Sequence, residues 1–107
     1  MKEEAIDQSE LIKNFMELSE KKMRNQQMLK QREIDLFIEQ NTTSMNNTLL
    51  EIRNSYEKDI AEIDEEMFGE IVQSMKEEME TELENIRIQY EKERIEGIEK
   101  INNKYKI

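Results

Sequence analysis

An all-α chain folded as an antiparallel, coiled-coil-like helical hairpin is what this sequence predicts, on three observations. The chain has no Pro and only two Gly among 107 residues. Those residues make the turns of α/β and all-β domains, so few turns and long helices are expected. Apolar residues recur at steps of three and four, which is the spacing of one helical face. A run of short polar residues separates two such stretches. The charged fraction, 39% against 36% hydrophobic, fits long helices better than a large globular core.

The first helix is expected over about 5–40. Ile6, Leu11, Ile12, Phe15, Met16, Leu18, Met23, Met28, Leu29, Ile34, Leu36, Phe37 and Ile38 carry its apolar spacing, and Asp7 with Glu10 could cap its start. Asn41-Thr42-Thr43-Ser44-Met45-Asn46-Asn47 then interrupts the apolar pattern. Short polar side chains of this kind compete with the helical backbone for hydrogen bonds. Thr48-Leu49-Leu50-Glu51 follows and matches a capping box. The sequence therefore predicts a turn near 41–47 and a second helix over about 49–105, all within one domain, 1–107.

Leu49, Ile52, Tyr56, Ile60, Ile63, Met67, Ile71, Met75, Met79, Leu83, Ile86 and Tyr90 line the second helix. Their steps do not keep a heptad alternation, so the stripe drifts around the helix and suits a hairpin. Gly69, after Phe68, marks either a bend or a second turn near 67–70. A bend is the preferred reading, because one Gly costs a helix only about 1 kcal/mol.

Charge supports antiparallel packing about a turn at 44–45. Lys21, Lys22, Arg24, Lys30 and Arg32 would then face the acid-rich stretch 57–68, a local +5 against a local −5. The same turn leaves the arms unequal. Residues 86–107 would project roughly 30 Å past the first helix with an apolar stripe and no cover. Ile86, Tyr90, Ile95, Ile98, Ile101 and Tyr105 are on that basis the expected partner-binding residues. A turn at Gly69 would instead fold this segment back over the hairpin. The methionines near the stripes suit an adaptable binding surface, and equally the filling of a hairpin.

Several chemistries find no support. With no His and no Cys, the usual zinc, haem and nucleophile–His arrangements are missing. Asp64 to Gly69 places Phe68 where a calcium loop needs an oxygen ligand, and there is no Gly-rich phosphate loop. No catalytic role and no cofactor are expected. The net charge of −10 disfavours nucleic acid and anionic membrane as ligands. No segment reads as a signal peptide or membrane span, so a cytoplasmic location, or export in company with a partner, is expected.

The stretch Asn25-Gln26-Gln27-Met28-Leu29-Lys30-Gln31-Arg32-Glu33, the polar run and Ile86 to Tyr105 with Tyr90-Glu91-Lys92-Glu93-Arg94 give a long-armed, acidic, Cys-free hairpin. In architecture and composition it resembles the small α-helical partners of type VII secretion effectors, the WXG100-like and LXG-associated α-helical proteins. The likeness is not one of motif. There is no Trp-x-Gly, and Arg94 stands four residues after Tyr90 where an acidic export signal would need Asp or Glu. The resemblance implies an accessory chain that binds the helical N-terminal region of an effector carrying its own signal. The expected function is thus a helical protein-binding adaptor or targeting chaperone. The alternatives are a homo-oligomeric coiled-coil scaffold or stalk and, last, an acidic nucleic-acid mimic.

Overall fold

A computed structural model describes the backbone of residues 2–106 and the side chains of residues 8–106. Two helices make up the fold: α1, Lys2–Ala61, and α2, Gly69–Lys104. They form an antiparallel hairpin, drawn out into a rod of 100 × 16 × 13 Å. All-α hairpin architecture is thus as the sequence predicts, but the turn is not at 41–47. Those residues lie inside α1, and the reversal occupies 62–68, beside the Gly69 at which a bend or second turn was expected.

The helix passes through 41–47, where Asn41 and Ser44, with Thr48 beyond, reach across the helix–helix seam. The Asn41 side-chain amide donates to the Tyr90 carbonyl at 3.3 Å. The Ser44 and Thr48 hydroxyls lie 3.0 and 3.1 Å from the Tyr90 hydroxyl. Thr48 also donates to the Ser44 carbonyl at 3.0 Å, so it is a mid-helix residue bonded back to its own turn, not a cap.

The true turn is built from acids. Glu62, Asp64, Glu65 and Glu66 follow Ala61. Negative side chains are unfavourable at a helix C-terminus and favourable at an N-terminus, so this cluster suits the start of α2 and opposes prolonging α1. The Asp64 carboxylate accepts from the Glu66 backbone N–H at 3.1 Å, an Asx-type turn. The Phe68 backbone N–H donates to the Asp64 carbonyl at 2.9 Å, and the Val72 N–H to the Phe68 carbonyl at 3.0 Å, which carries the chain into α2. Lys76 meets Glu65 across the turn at 3.7 Å.

Antiparallel register is fixed by a ladder of side-chain contacts. Tyr56 donates to Glu82 at 2.7 Å, Tyr90 meets Ser44 and Thr48, the Phe37 ring packs against Gly97, and Lys104 donates to Glu33 at 2.8 Å. Along α2 the more enclosed residues include Val72, Met75, Met79, Leu83, Ile86, Tyr90, Arg94, Gly97, Ile101 and Tyr105, at steps of three, four and four. On α1, Lys30, Ile34, Phe37, Asn41, Met45, Thr48, Ile52 and Tyr56 do the same at steps of four, three and four. Both stripes repeat every 11 residues, close to the natural pitch of a helix, so the pair needs little supercoiling. Among the described residues only Val72, Met79 and Leu83 are buried, all in the half of the hairpin nearer the turn.

The helices are unequal, and the overhang lies at the opposite end from the one expected. α2 ends beside Glu33, so α1 continues alone for about 28 residues, roughly 40 Å. The charge pairing of 21–32 with 57–68 does not form. Those two stretches sit at opposite ends of the hairpin, and the basic one belongs to the overhang.

Candidate protein-binding arm

In the overhanging arm of α1 apolar side chains stand in solvent. Leu11, Phe15 and Leu18 are 66, 71 and 67% exposed, and Ile12, Met16, Met23, Met28 and Leu29 are also open. Leu11, Ile12, Phe15, Leu18 and Met23 recur at steps that bring them to one side of the helix. Scattered exposed apolar residues are ordinary, whereas a contiguous apolar face marks an interaction surface. The arm continues the seam spacing of the hairpin: Ile12, Phe15, Ser19, Met23 and Gln26 precede Lys30 at the same four-three-four steps.

At its root the arm meets the end of α2. Met23, Gln26, Gln27, Lys30 and Tyr105 line a shallow groove where α2 stops. Beside it, Lys104 bonds to Glu33 and lies 5.5 Å from the centre of the Tyr105 ring. The hydrogen bond from Lys104, with a further contribution from the Tyr105 hydroxyl, holds the Glu33 carboxyl below its usual range. The same carboxylate raises Lys104 and Tyr105. This cluster pins the last turn of α2 to α1 and sets the point at which the arm becomes free.

The six residues expected to meet a partner fall elsewhere. Ile86, Tyr90, Ile98, Ile101 and Tyr105 are half-buried, Tyr90 on Asn41, Ser44 and Thr48. Ile95 is 58% exposed and turned away from the seam. Their assignment rested on a lack of intramolecular cover, and α1 supplies that cover. Moving the turn by some 20 residues moved the uncovered stripe from the C-terminal end of the chain to the N-terminal one. Leu11, Phe15, Leu18 and Met23, read from sequence as part of the apolar face of the first helix, are the open ones.

Among the described residues no group of three or more acidic side chains is placed to hold a metal ion. No described helix is long and apolar enough to cross a membrane. What the arm offers chemically is an exposed apolar stripe flanked by charge. No family model, curated protein or solved structure matches the chain.

Proposed function

We propose that the chain is a non-catalytic, helical protein-binding adaptor that uses the apolar face of its N-terminal arm to engage a partner helix. One observation carries the reading: an apolar stripe at seam spacing, Ile12, Phe15 and Met23 with Leu11 and Leu18 beside it, runs on past the end of α2 and stands open, with only Tyr105 near its last member, Met23. A helix-in-groove or helix-on-helix contact needs such a run of anchors at i, i+3, i+4 and i+7. Lone helices are marginal in water, so the arm gains order and stability when it is covered. The resemblance to helical partners of secretion effectors supports an effector's helical region as one class of partner. A homo-oligomeric scaffold is the second reading, favoured by the 100 Å length of the rod.

The test compares the tagged chain with its Phe15→Glu/Met23→Glu variant as baits. Stoichiometric capture of a chain with a helical region, lost in the variant, is expected. Equal capture by both baits would move the binding surface off the arm.

A further inference from the structure

We infer that the arm is covered by a second copy of this chain, docked head to tail: the arm of one molecule lies in the acidic groove beside the turn of the next. The inference rests on the reading that the arm is a protein-binding surface, and it names the partner.

Charge lies along the rod in blocks. Residues 57–84, the turn and the helix ends beside it, hold twelve acids against Lys58 and Lys76, a net −10 that equals the charge of the whole chain. Among the described residues only Glu65 and Glu84 of these acids stand in ion pairs. Residues 21–32 of the arm hold five bases and no acid. Among the described residues only Arg24 of these bases is paired, to Glu20 on its own helix at 3.9 Å. Salt at about 0.1 M screens charges beyond about 10 Å, whereas the rod is 100 Å long. The two blocks therefore act separately, and the net charge does not keep the basic block of one copy from the acidic block of another. Single exposed pairs contribute little, but blocks of opposite sign choose partner and orientation.

Both blocks carry apolar surface. At about 100° per residue, Leu11, Leu18, Leu29 and Leu36 fall on one line along α1, flanked by Lys21, Lys22 and Arg32. The four leucines are 66, 67, 52 and 52% exposed. Asn25, Met28, Leu29 and Arg32 line an open depression on this side. Tyr105 stands on the other side, at Met23, Gln26 and Lys30, so the end of α2 leaves the leucine line free. The receiving surface is the groove between the two helices lined by Glu51, Ile52, Ser55, Tyr56, Asp59 and Glu82, three carboxylates and no base.

Laying Lys22 beside Ser55 with the two α1 helices parallel staggers the copies by about 33 residues, roughly 50 Å. Glu10 and Glu17 of the arm then lie along the uncharged stretch 41–50. An antiparallel arm would set them on the acids of the turn. Since α2 of the docking copy ends beside its own Glu33, it begins level with the turn of the receiving copy and past the groove. Each molecule offers one arm and one groove to different neighbours, so the contact is heterologous and repeats along an open chain.

Light scattering on the full chain tests this. Mass should rise with concentration past twice the 13.0 kDa of one chain. It should return to one chain in about 1 M salt, where charges are screened beyond about 3 Å. A mass that stops at two copies would overturn the head-to-tail order. Lys21→Gln/Lys22→Gln/Arg32→Gln neutralises the arm, and Glu51→Gln/Asp59→Asn/Glu82→Gln the groove. Each variant alone, with its helical circular dichroism intact, should stay at one chain. Mixed, they should give two chains and no more, because one intact arm meets one intact groove. A mixture that stays at one chain would overturn the pairing, as would variants that assemble like the native chain. Orientation is read with cysteines, since the chain has none of its own. Asn14→Cys mixed with Asn47→Cys should form a disulfide; a disulfide with Glu62→Cys in its place would overturn the parallel arrangement. A monomeric native chain whose Phe15→Glu/Met23→Glu variant loses capture of a different helical protein would overturn the second copy as occupant yet leave the adaptor reading standing. Assembly untouched by Leu11→Glu/Leu18→Glu would overturn the arm as the docking surface, and both readings with it.

Discussion

At Gly97 the Phe37 ring of α1 packs directly on the α2 backbone, and the contact can be measured. The Phe37 ring occupies the space that a Cβ at position 97 would need. An alanine there gains about 1 kcal/mol of helix propensity, while forcing a methyl into an occupied site costs about 1–3 kcal/mol. Gly97→Ala should therefore lower stability by about 0–2 kcal/mol in the native background. In a Phe37→Ala background the ring is gone, and the same substitution should raise stability by about 1 kcal/mol. The difference between the two effects is a coupling energy of about 1–3 kcal/mol. Urea unfolding followed by helical circular dichroism on the four proteins gives it directly. Gly69→Ala is the control: nothing lies within 4 Å of a Cβ there, so it should be neutral or stabilise by up to about 1 kcal/mol. Equal stabilisation by Gly97→Ala in both backgrounds would refute the close approach of Phe37 and the register built on it.

Tyr90→Phe removes the hydroxyl between Ser44 and Thr48 and should cost about 0.5–1.5 kcal/mol in the same urea assay; no change would detach 41–48 from the seam. The Tyr56 phenol, hydrogen-bonded to Glu82, is pushed up to about 12. Its folded value exceeds the unfolded one, so its contribution is complete below about pH 10 and is lost as pH rises through about 12. Ultraviolet titration should show this late ionisation moving down in Glu82→Gln, and an unmoved titration would reject the bond as its cause. Limited trypsin digestion should cut first at Lys13, Lys21, Lys22 or Arg24, because local opening is easiest where no tertiary contact opposes it. First cuts between Arg53 and Arg94 would place the weak segment in the hairpin instead.

Long helices were legible because they follow from composition and periodicity, neither of which depends on where the chain reverses, whereas the reversal was read from a polar run that lies inside α1 and from a charge pairing that does not form. The position of the turn was not legible, for a specific reason. Asn41, Ser44 and Thr48 break the apolar pattern but not its spacing: Phe37, Asn41, Met45, Thr48 and Ile52 keep the seam steps without interruption. Their partners are on Tyr90, 42–49 residues away, and no local rule anticipates a distant phenol. The signals at the real turn, a cluster of acids from Glu62 to Glu66 followed by Gly69, were present but weaker in appearance than the polar run. The error then propagated. Once α1 is extended to Ala61, the covered and uncovered stripes exchange ends, and Ile86, Ile98 and Ile101 become seam residues while Phe15 and Met23 become the open face.

The 11-residue spacing of the seam makes the rod a graduated scale. Three turns of helix, about 16.5 Å, return a side chain to nearly the same side. A descendant of this sequence could grow or shrink its arm by 11 residues and keep its contact face aimed as before. A change of two or five residues would swing that face to the far side of the rod. Length in such a molecule therefore comes in steps, and the distance it holds between whatever sits at its tip and its turn is quantised by the pitch of the α-helix.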